Sequence, residues 1–396
     1  MHRATIWILI LLFLFPQAST SLPLADWKAS APGNFSSLTK DEVDSVINPI
    51  MENGTYEGVV VALVDQNGSI TYNYGYADGE AKRKVDNRTL FSIGSISKTF
   101  TGVLLADAQN RGELNLTSPI TGYIPANFSV PSLNGRRITL ENIATHTSGL
   151  PGVPDSFKDV NPNFFPADQI EQAFMYYGTF PAERAYGFVQ NYTLTREPGA
   201  VWEYSNLGAS IAGDITARRA GTTYEGLLMR RIISPLGMNE TRINLTGTDE
   251  SLAEGYRAYA DPKNKAKVLQ FNDFWAASGG IYSTGEDMAI FLAAELDILE
   301  TPLKTAFFLT RQPRAIRSEG PPLIEQGLFL DTSVAADGTR IYIKPGETNG
   351  FQAVIGFIPE DKVGVVILTN TAYMGDTHIQ SEAVTLLQLM HGRYSA

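Results

Sequence analysis

The chain has 396 residues, of which 43% are hydrophobic, and it carries a formal net charge of −11 and no cysteine. This length can bury one large core or two interleaved ones. The lack of cysteine excludes disulfides, thiolate catalysis and cysteine-ligated metal, and the acidic charge argues against nucleic acid or an anionic membrane as a partner.

The N-terminus has the pattern of a secretory signal peptide. A short basic region precedes an apolar run that ends near residue 15, and small residues at 18–21 offer a cleavage site. The apolar run is too short to span a bilayer comfortably, so residues 1–21 are predicted to be a signal peptide, with an uncleaved anchor as the alternative. Residues 22–38 are predicted to form a linker.

Asn-x-Ser/Thr sequons are frequent, since nine occur where about three would be expected by chance. The excess predicts an exported protein with a glycosylated exterior, located in the periplasm, outside the cell or at its surface. The sequons begin at Asn34, Asn53, Asn67, Asn87, Asn115, Asn127, Asn191, Asn239 and Asn244.

The first predicted helix spans residues 39–53, where apolar residues recur at helical spacing. Thr39 and Glu42 have the spacing of a capping box, which marks the start of the helix. Pro49 is expected to kink or shorten it.

Strands are predicted near both ends of the chain, with helices and loops between about residues 95 and 270. This order predicts an α/β (α+β) fold, in which an antiparallel sheet built from N- and C-terminal strands is flanked by helices and carries a large, mostly helical insertion. Residues 39–396 are predicted to form one domain, with a sheet subdomain at 39–90 and 275–396 and a helical subdomain at 91–274. The predicted strands are 58–65, 69–75, 339–344, 351–357 and 363–369, and the last predicted helix is 377–391.

Ser95 and Lys98 stand where a turn at Gly94 gives way to an apolar-periodic helix. Residues three apart share one helix face, so the hydroxyl of Ser95 and the ammonium of Lys98 can meet. A serine becomes a nucleophile beside a base or a positive charge, and a helix N-terminus favours developing negative charge. Alone, the Ser-x-x-Lys pattern equally describes a capped helix with a surface lysine.

Two further motifs lie downstream. Tyr204 and Asn206 can both project from a loop into a cleft, and a phenol between two ammonium groups can act as a base because they favour its ionised form. Lys344 ends a predicted strand and supplies a cation for a carboxylate, while Gly346 lets a ligand approach the backbone closely. Taken singly, these motifs also fit a turn with a packed tyrosine and an ordinary edge strand.

Histidine is scarce, and only His146 stands in a motif-like setting. No Gly-x-Ser-x-Gly elbow and no His-x-x-x-His pattern occurs, which disfavours both a Ser-His-Asp triad and a histidine-ligated metal. We therefore expect Lys or Tyr as the catalytic base, no metal and no cofactor.

The order Ser-x-x-Lys, Tyr-x-Asn, Lys-x-Gly resembles the serine β-lactamase and penicillin-binding-protein family. The Tyr-Ser-Asn form is similar to the class C β-lactamase branch, with its D-alanyl peptidase and esterase relatives. The resemblance covers nearly all of the mature chain. Further matching stretches are 144–151, 198–199, 277–284, 348–351 and 356–359.

The resemblance implies a role for each motif residue. Ser95 would be acylated, Lys98 would help take its proton, and Tyr204 would protonate the leaving group and later activate water. Lys344 would tune Tyr204 and attract the substrate carboxylate, and His146 would be a structural loop residue. The substrate-binding residues would be Asn206, Gly346, Asn349 and Glu347, whose backbone N–H would form the oxyanion hole with that of Ser95.

The third motif departs from the family pattern, because Pro345 stands where Thr or Ser is usual. Proline lacks the hydroxyl that would help to hold a substrate carboxylate. We therefore expect weaker recognition of carboxylate-bearing β-lactams, while peptidase or esterase activity on other acyl groups stays open.

The resemblance implies an exported serine hydrolase that acts through an acyl-enzyme on a small-molecule or peptide substrate, either β-lactams or D-amino-acid peptides. The alternatives are an esterase or D-aminopeptidase on the same scaffold and a penicillin-binding sensor that does not turn over. The oligomeric state is left open.

Overall fold

The computed structural model describes residue 23 and residues 38–52, 54–154, 179–243, 245, 249–258, 264–372 and 378–394. The predicted signal peptide, almost all of the predicted linker and the sequons at Asn34, Asn53 and Asn244 lie outside these residues. Among the residues described, no helix combines the length and the apolar character needed to cross a bilayer.

A nine-stranded antiparallel sheet is the largest sheet in the described part of the chain. The strands described are β1 (Gly58–Asp65), β2 (Gly68–Asp78), β3 (Arg83–Lys84), β4 (Phe91–Ser92), β5 (Ser132–Leu133), β6 (Arg136–Arg137), β7 (Gly255–Arg257), β8 (Lys265–Ala266), β9 (Tyr282–Ser283), β10 (Ala315–Ser318), β11 (Leu323–Gln326), β12 (Asp331–Val334), β13 (Arg340–Thr348), β14 (Phe351–Ile358), β15 (Val363–Thr369) and β16 (Thr371–Ala372). The order in the large sheet is β10-β11-β12-β13-β14-β15-β1-β2-β3, so strands from the two ends of the chain are neighbours within it. This arrangement confirms the fold class predicted from the sequence.

Helices cover the sheet and fill much of the segment between β4 and β9. The α-helices among the described residues are α1 (Lys40–Glu52), α2 (Ser97–Asn110), α3 (Leu140–Ala144), α4 (Ala182–Asn191), α5 (Asn206–Arg219), α6 (Tyr224–Leu228), α7 (Ser234–Leu236), α8 (Asp273–Gly279), α9 (Gly285–Glu295), α10 (Lys304–Thr310) and α11 (His378–Tyr394). The first and last of them, α1 and α11, pack against one face of the sheet, and α9 packs against the other.

The central strand β1 is buried along its whole length because both faces of the sheet are covered. Val59 and Val61 belong to the core that α1 and α11 close, whereas Val60 and Ala62 belong to the larger core on the opposite face. Successive side chains point to opposite faces of a strand, so a continuous apolar run is what a strand between two helical layers requires.

The predicted N-terminal helix is present, and its capping box is closed. The backbone N–H of Thr39 donates to Glu42 Oε2 at 2.8 Å, and the N–H of Glu42 donates to Thr39 Oγ1 at 3.4 Å. The expectation that Pro49 would shorten the helix is wrong, because α1 continues past it to Glu52.

The strand predicted to end at Lys344 continues to Thr348, so the third motif lies inside β13. Its partner β14 pairs along the whole motif, with Pro345 opposite Val354, but β12 opposes β13 only as far as Ile343. Beyond that point β13 pairs on one side only, where a proline without an N–H is tolerated. The three strands β10, β11 and β12 on this side of the sheet were not predicted.

Candidate active site

Two backbone segments meet closely at Ser95, the predicted nucleophile. Ser95 lies in a 3₁₀ turn, Gly94–Ile96, that leads into α2. Gly94 has φ of +50°, and a Cβ there would lie 2.6 Å from the amide nitrogen of Glu347; a Cβ on Gly346 would lie 3.0 Å from that of Ser95. Both glycines are therefore needed for the approach, which sets the amides of Ser95 and Glu347 on facing segments.

The Ser95 hydroxyl is contacted by two other predicted catalytic groups. Lys98 Nζ donates to Ser95 Oγ at 3.1 Å and also to the carbonyl oxygen of Ser278, which holds the amine in place. Tyr204 OH donates to the same Ser95 Oγ at 2.7 Å. Lys344 Nζ lies 5.4 Å from the Tyr204 ring centroid, and Lys98 Nζ lies 4.8 Å from it.

The two lysines are unusually placed for charged groups, since Lys98 is 0% and Lys344 2% exposed. Burial lowers the pKa of Lys98 well below its ordinary value, and the charge of Lys344 lowers it further. Burial also lowers the pKa of Lys344, although the carboxylate of Asp331 opposes this shift. A Lys98 amine that loses its proton easily can accept one from Ser95.

Asn206 begins α5 close to Ser95. The preceding Ser205 caps the helix, because its Oγ accepts a hydrogen bond from Gly208 N at 2.9 Å and donates one to the Pro151 carbonyl at 2.7 Å. Asn206 lines a recess of about 40 Å³ that Ser95 also lines. The cap therefore fixes Tyr204 and Asn206 on either side of one buried serine.

The structure brings Ser95, Lys98, Tyr204, Asn206, Lys344, Gly346 and Glu347 together, but it does not bring Asn349 to them. Asn349 is buried in the turn after β13, where its Nδ2 donates to the Lys267 carbonyl at 3.1 Å. It lines neither of the two clefts that contain Ser95. Its amide is used to hold the turn, and its assignment to substrate is not supported by this placement.

His146 lies behind Tyr204. Its Nδ1 accepts a hydrogen bond from the Ser205 backbone N–H at 3.2 Å, and its ring centroid lies 4.6 Å from that of Tyr204. Burial lowers the pKa of His146 well below its usual range, and the charges of Lys344 and Lys98 add to this effect. A neutral imidazole that accepts from the backbone supports the loop rather than the nucleophile.

Sequence reasoning missed two charged residues of the main cleft wall. Arg317 on β10 and Asp331 on β12 line a cleft of about 320 Å³ together with Ser95, Tyr204 and Lys344. The Arg317 guanidinium lies 4.5 Å from the ring centroid of Trp202. Because β10 and β12 were not predicted, no sequence pattern indicated that Arg317 and Asp331 lie at the site. The only signal near the motifs was Trp202, two positions before Tyr204, which stacks with Arg317.

Comparison with known proteins gives one consistent family. The family model described as Beta-lactamase matches residues 43–389. A β-lactamase of Escherichia coli (strain K12) is 29% identical over 373 residues, covering 86% of this chain and 91% of the relative. A β-lactamase of Yersinia enterocolitica is 28% identical over 396 residues, covering 89% of this chain and 93% of the relative.

A solved structure gives the same result for the fold. A class C β-lactamase matches with a TM-score of 0.71 at 24% sequence identity, and the match covers 89% of this chain and 95% of that structure. The family model spans most of the chain, and the relatives match over nearly their full length. The chain therefore belongs to the β-lactamase family and is a β-lactamase-related serine hydrolase.

Proposed function

We propose that the protein hydrolyses β-lactams or D-amino-acid peptides through an acyl-enzyme formed on Ser95. The observation that carries this proposal is the position of Ser95 Oγ, which accepts hydrogen bonds from both Lys98 Nζ and Tyr204 OH. A serine between a desolvated amine and a phenol has a base for its own proton and an acid for the leaving group. The names of the relatives support β-lactams as the first substrate class to test.

Acylation begins when neutral Lys98 takes the proton of Ser95 and the freed oxygen attacks the acyl carbon. The oxygen of the tetrahedral intermediate lies between the N–H groups of Ser95 and Glu347, and such a donor contributes on the order of 3 kcal/mol. Tyr204 then gives its proton to the leaving group. Ser95 carries the acyl group, Lys98 holds the serine proton and Tyr204 is ionised at the end of this step.

Deacylation reverses the proton positions. The Tyr204 phenolate takes a proton from water, and the hydroxide that forms attacks the ester carbon. The Ser95 oxygen leaves and recovers its proton from Lys98, so the enzyme returns to its starting state. Asn206 would hold the substrate amide and Lys344 would stabilise the phenolate and attract a substrate carboxylate.

An esterase or D-aminopeptidase activity is the second candidate, and Pro345 is the observation that favours it. The residue lines the cleft where a hydroxyl would otherwise meet a substrate carboxylate. A sensor that is acylated but does not turn over is the third candidate, and the pairing of Tyr204 with Ser95 argues against it because that contact also serves deacylation.

We also propose that the protein is exported, with residues 1–21 as its signal peptide, and that its exterior is glycosylated. Support for glycosylation comes from the sequons, because five of the six sequon asparagines within the described residues are exposed. These five are Asn87, Asn115, Asn127, Asn191 and Asn239.

Mass spectrometry of the intact protein tests the nucleophile and the acyl class together. Samples are treated with a fluorophosphonate, a β-lactam or a nitrophenyl ester, and the Ser95→Ala variant serves as the matched control. We expect Ser95 to carry the label, a β-lactam adduct that decays with turnover, and no label on the variant. Labelling of another residue would contradict the proposal, and a stable β-lactam adduct would favour the sensor.

A further inference from the structure

Arg317 is a cation in the reaction cleft that none of the three motifs contains. It lies on β10, at the outer edge of the nine-stranded sheet, and it lines the same cleft as Ser95, Lys344 and Pro345. Its side chain is 37% exposed, so the guanidinium can reach a molecule in that cleft. The charge of Arg317 also lowers the pKa of Lys344, which puts the two cations within electrostatic reach of each other.

The guanidinium is held in one orientation by groups on both sides. Arg317 Nη1 donates to Asp331 Oδ2 at 2.5 Å, and the guanidinium stacks over Trp202 at 4.5 Å from the ring centroid. Trp202 is fixed in turn, because its Nε1 donates to Gln326 Oε1 at 2.9 Å and Gln326 is fully buried. A guanidinium held in this way loses less entropy when it binds an anion than a mobile side chain would.

The two cations keep donors for a ligand. Within the described residues, Nη1 is the only side-chain nitrogen of Arg317 that donates a hydrogen bond, and Lys344 Nζ donates none. The acidic groups of the cleft are partly engaged: Asp331 binds Arg317, and Glu347 accepts from Gln352 Nε2 at 3.4 Å. A planar guanidinium and an ammonium with unused donors match the two oxygens of a carboxylate.

We propose that Arg317 binds a carboxylate of the substrate jointly with Lys344 and supplies the recognition that Pro345 cannot. The proposal therefore predicts that the substrates are acyl compounds with a free carboxylate on the Lys344 side of the reacting bond. This inference rests on the proposed acyl-enzyme reaction at Ser95, and it reverses the expectation that the proline disfavours carboxylate-bearing substrates. Arg317 is a specificity residue, because a neutral ester reacting at Ser95 has no group for it to hold.

The test compares a chromogenic cephalosporin bearing its free carboxylate with the methyl ester of the same compound. Arg317→Gln should lower kcat/KM for the free acid about ten- to a hundredfold, mainly by raising KM, and should change the methyl ester by less than about twofold. Arg317→Lys keeps the charge but loses the planar donors, so its loss for the free acid should be intermediate.

Arg314→Gln is the matched control. Arg314 precedes β10 and pairs with Glu141 at 2.6 Å in a neighbouring cleft, and it does not line the cleft of Ser95. Its removal should leave the preference for the free acid unchanged. Calorimetric binding of the free acid to Ser95→Ala, with and without Arg317→Gln, measures recognition without turnover and should give the same ten- to hundredfold loss.

Three results would overturn the inference. If the wild-type enzyme prefers the methyl ester, it does not recognise the substrate carboxylate. If Arg317→Gln has unchanged kinetics, Arg317 does not contribute to substrate binding. An equal loss for both compounds means that Arg317 acts by supporting Trp202. In all three cases, labelling of Ser95 by the methyl ester still upholds the proposed reaction, whereas absence of any labelling rejects both proposals.

Discussion

The two walls of the reaction cleft differ in how fully their polar groups are satisfied by the protein. On the helical wall, Lys98 and Tyr204 both hydrogen-bond to Ser95, and Lys98 is further fixed by a backbone carbonyl. On the sheet wall, Lys344 Nζ makes no hydrogen bond to a described residue, and the Arg317 side chain donates through a single nitrogen. Under the proposed mechanism, the groups that react are thus held by the protein, whereas the groups that recognise the substrate keep donors for it.

This difference separates the kinetic effects expected from each wall. A change on the helical wall removes an interaction that matters in the transition state, so it should lower kcat. A change on the sheet wall removes an interaction made with a bound substrate, so it should raise KM and alter selectivity. Variants on each wall therefore test whether effects on kcat and effects on KM separate in this way.

Lys98→Met should produce the largest effect, a loss of about 10³- to 10⁴-fold in kcat/KM, because the base for Ser95 is removed. The same variant should unfold at a higher temperature than the wild type. The pKa of Lys98 is lowered in the folded protein, so the unfolded chain binds more protons and burial of the lysine costs stability at neutral pH. Methionine has a similar volume and no such cost.

The melting temperatures of the wild type and of Lys98→Met, measured as a function of pH, test whether the buried lysine lowers stability. The advantage of Lys98→Met should be largest at low pH and should shrink as the pH rises toward 10.5, where the unfolded lysine also loses its proton. A variant that is inactive and also less stable at every pH would show that Lys98 contributes mainly as a structural group.

Tyr204→Phe should lower kcat by about 10²- to 10³-fold without raising KM. The substitution keeps the ring that lies against His146 and removes only the hydroxyl that contacts Ser95 Oγ at 2.7 Å. Pre-steady-state kinetics should reveal accumulated acyl-enzyme, since the base for deacylation is lost. A rise in KM with kcat unchanged would place Tyr204 with the recognition groups and break the division between the walls.

The difference between the walls also separates what the sequence could and could not predict. Ser95, Lys98, Tyr204 and Asn206 lie within short motifs whose spacing reflects local geometry, and the two strands 58–65 and 351–357 show apolar runs that fit a covered sheet. Arg317 reaches the cleft only through the pairing of β10 with β11 and of β11 with β12. Long-range pairing of short, polar and exposed strands leaves no pattern in one sequence.

The Pro345→Thr variant tests how the sheet wall recognises a substrate carboxylate. A threonine hydroxyl would donate to a substrate carboxylate, and such a bond to a charged group contributes roughly 1.5–3 kcal/mol. We expect kcat/KM for the free-acid cephalosporin to rise about tenfold, with its methyl ester unchanged. If Arg317 already holds the carboxylate, the gain should be larger in the Arg317→Gln background, which a double-mutant cycle measures.

An equal change for both compounds would contradict this account of Pro345. Proline also fixes the path of β13 beside Glu347, so its removal could displace the amide of that residue. Both substrate classes would then decline together, and the residue would have to be assigned to backbone geometry.

His146→Ala should lower stability more than it lowers the rate. The Ser205 N–H would lose its acceptor in a buried setting, which costs about 1–3 kcal/mol, while kcat should fall by less than about tenfold. His146→Asn is the matched variant, because Asn is favoured at the φ of +58° found here and can still accept a hydrogen bond. A 10⁴-fold loss of kcat in a folded His146→Ala protein, as in triad disruption, would contradict the structural role.

Glu295→Gln should leave kcat unchanged and alter only the pH dependence of stability. Glu295 ends α9 and does not line the cleft of Ser95, and burial raises the pKa of its carboxyl to about 8. The folded protein therefore keeps this proton to about pH 8, whereas the unfolded chain releases it near the ordinary carboxyl pKa of 4.5. Between these values the folded state binds more protons, so stability falls as the pH rises. The melting temperatures of the two proteins should lie closest near pH 5 and separate toward pH 8, with the variant the more stable. A difference that does not depend on pH would mean that Glu295 stays ionised in the folded protein.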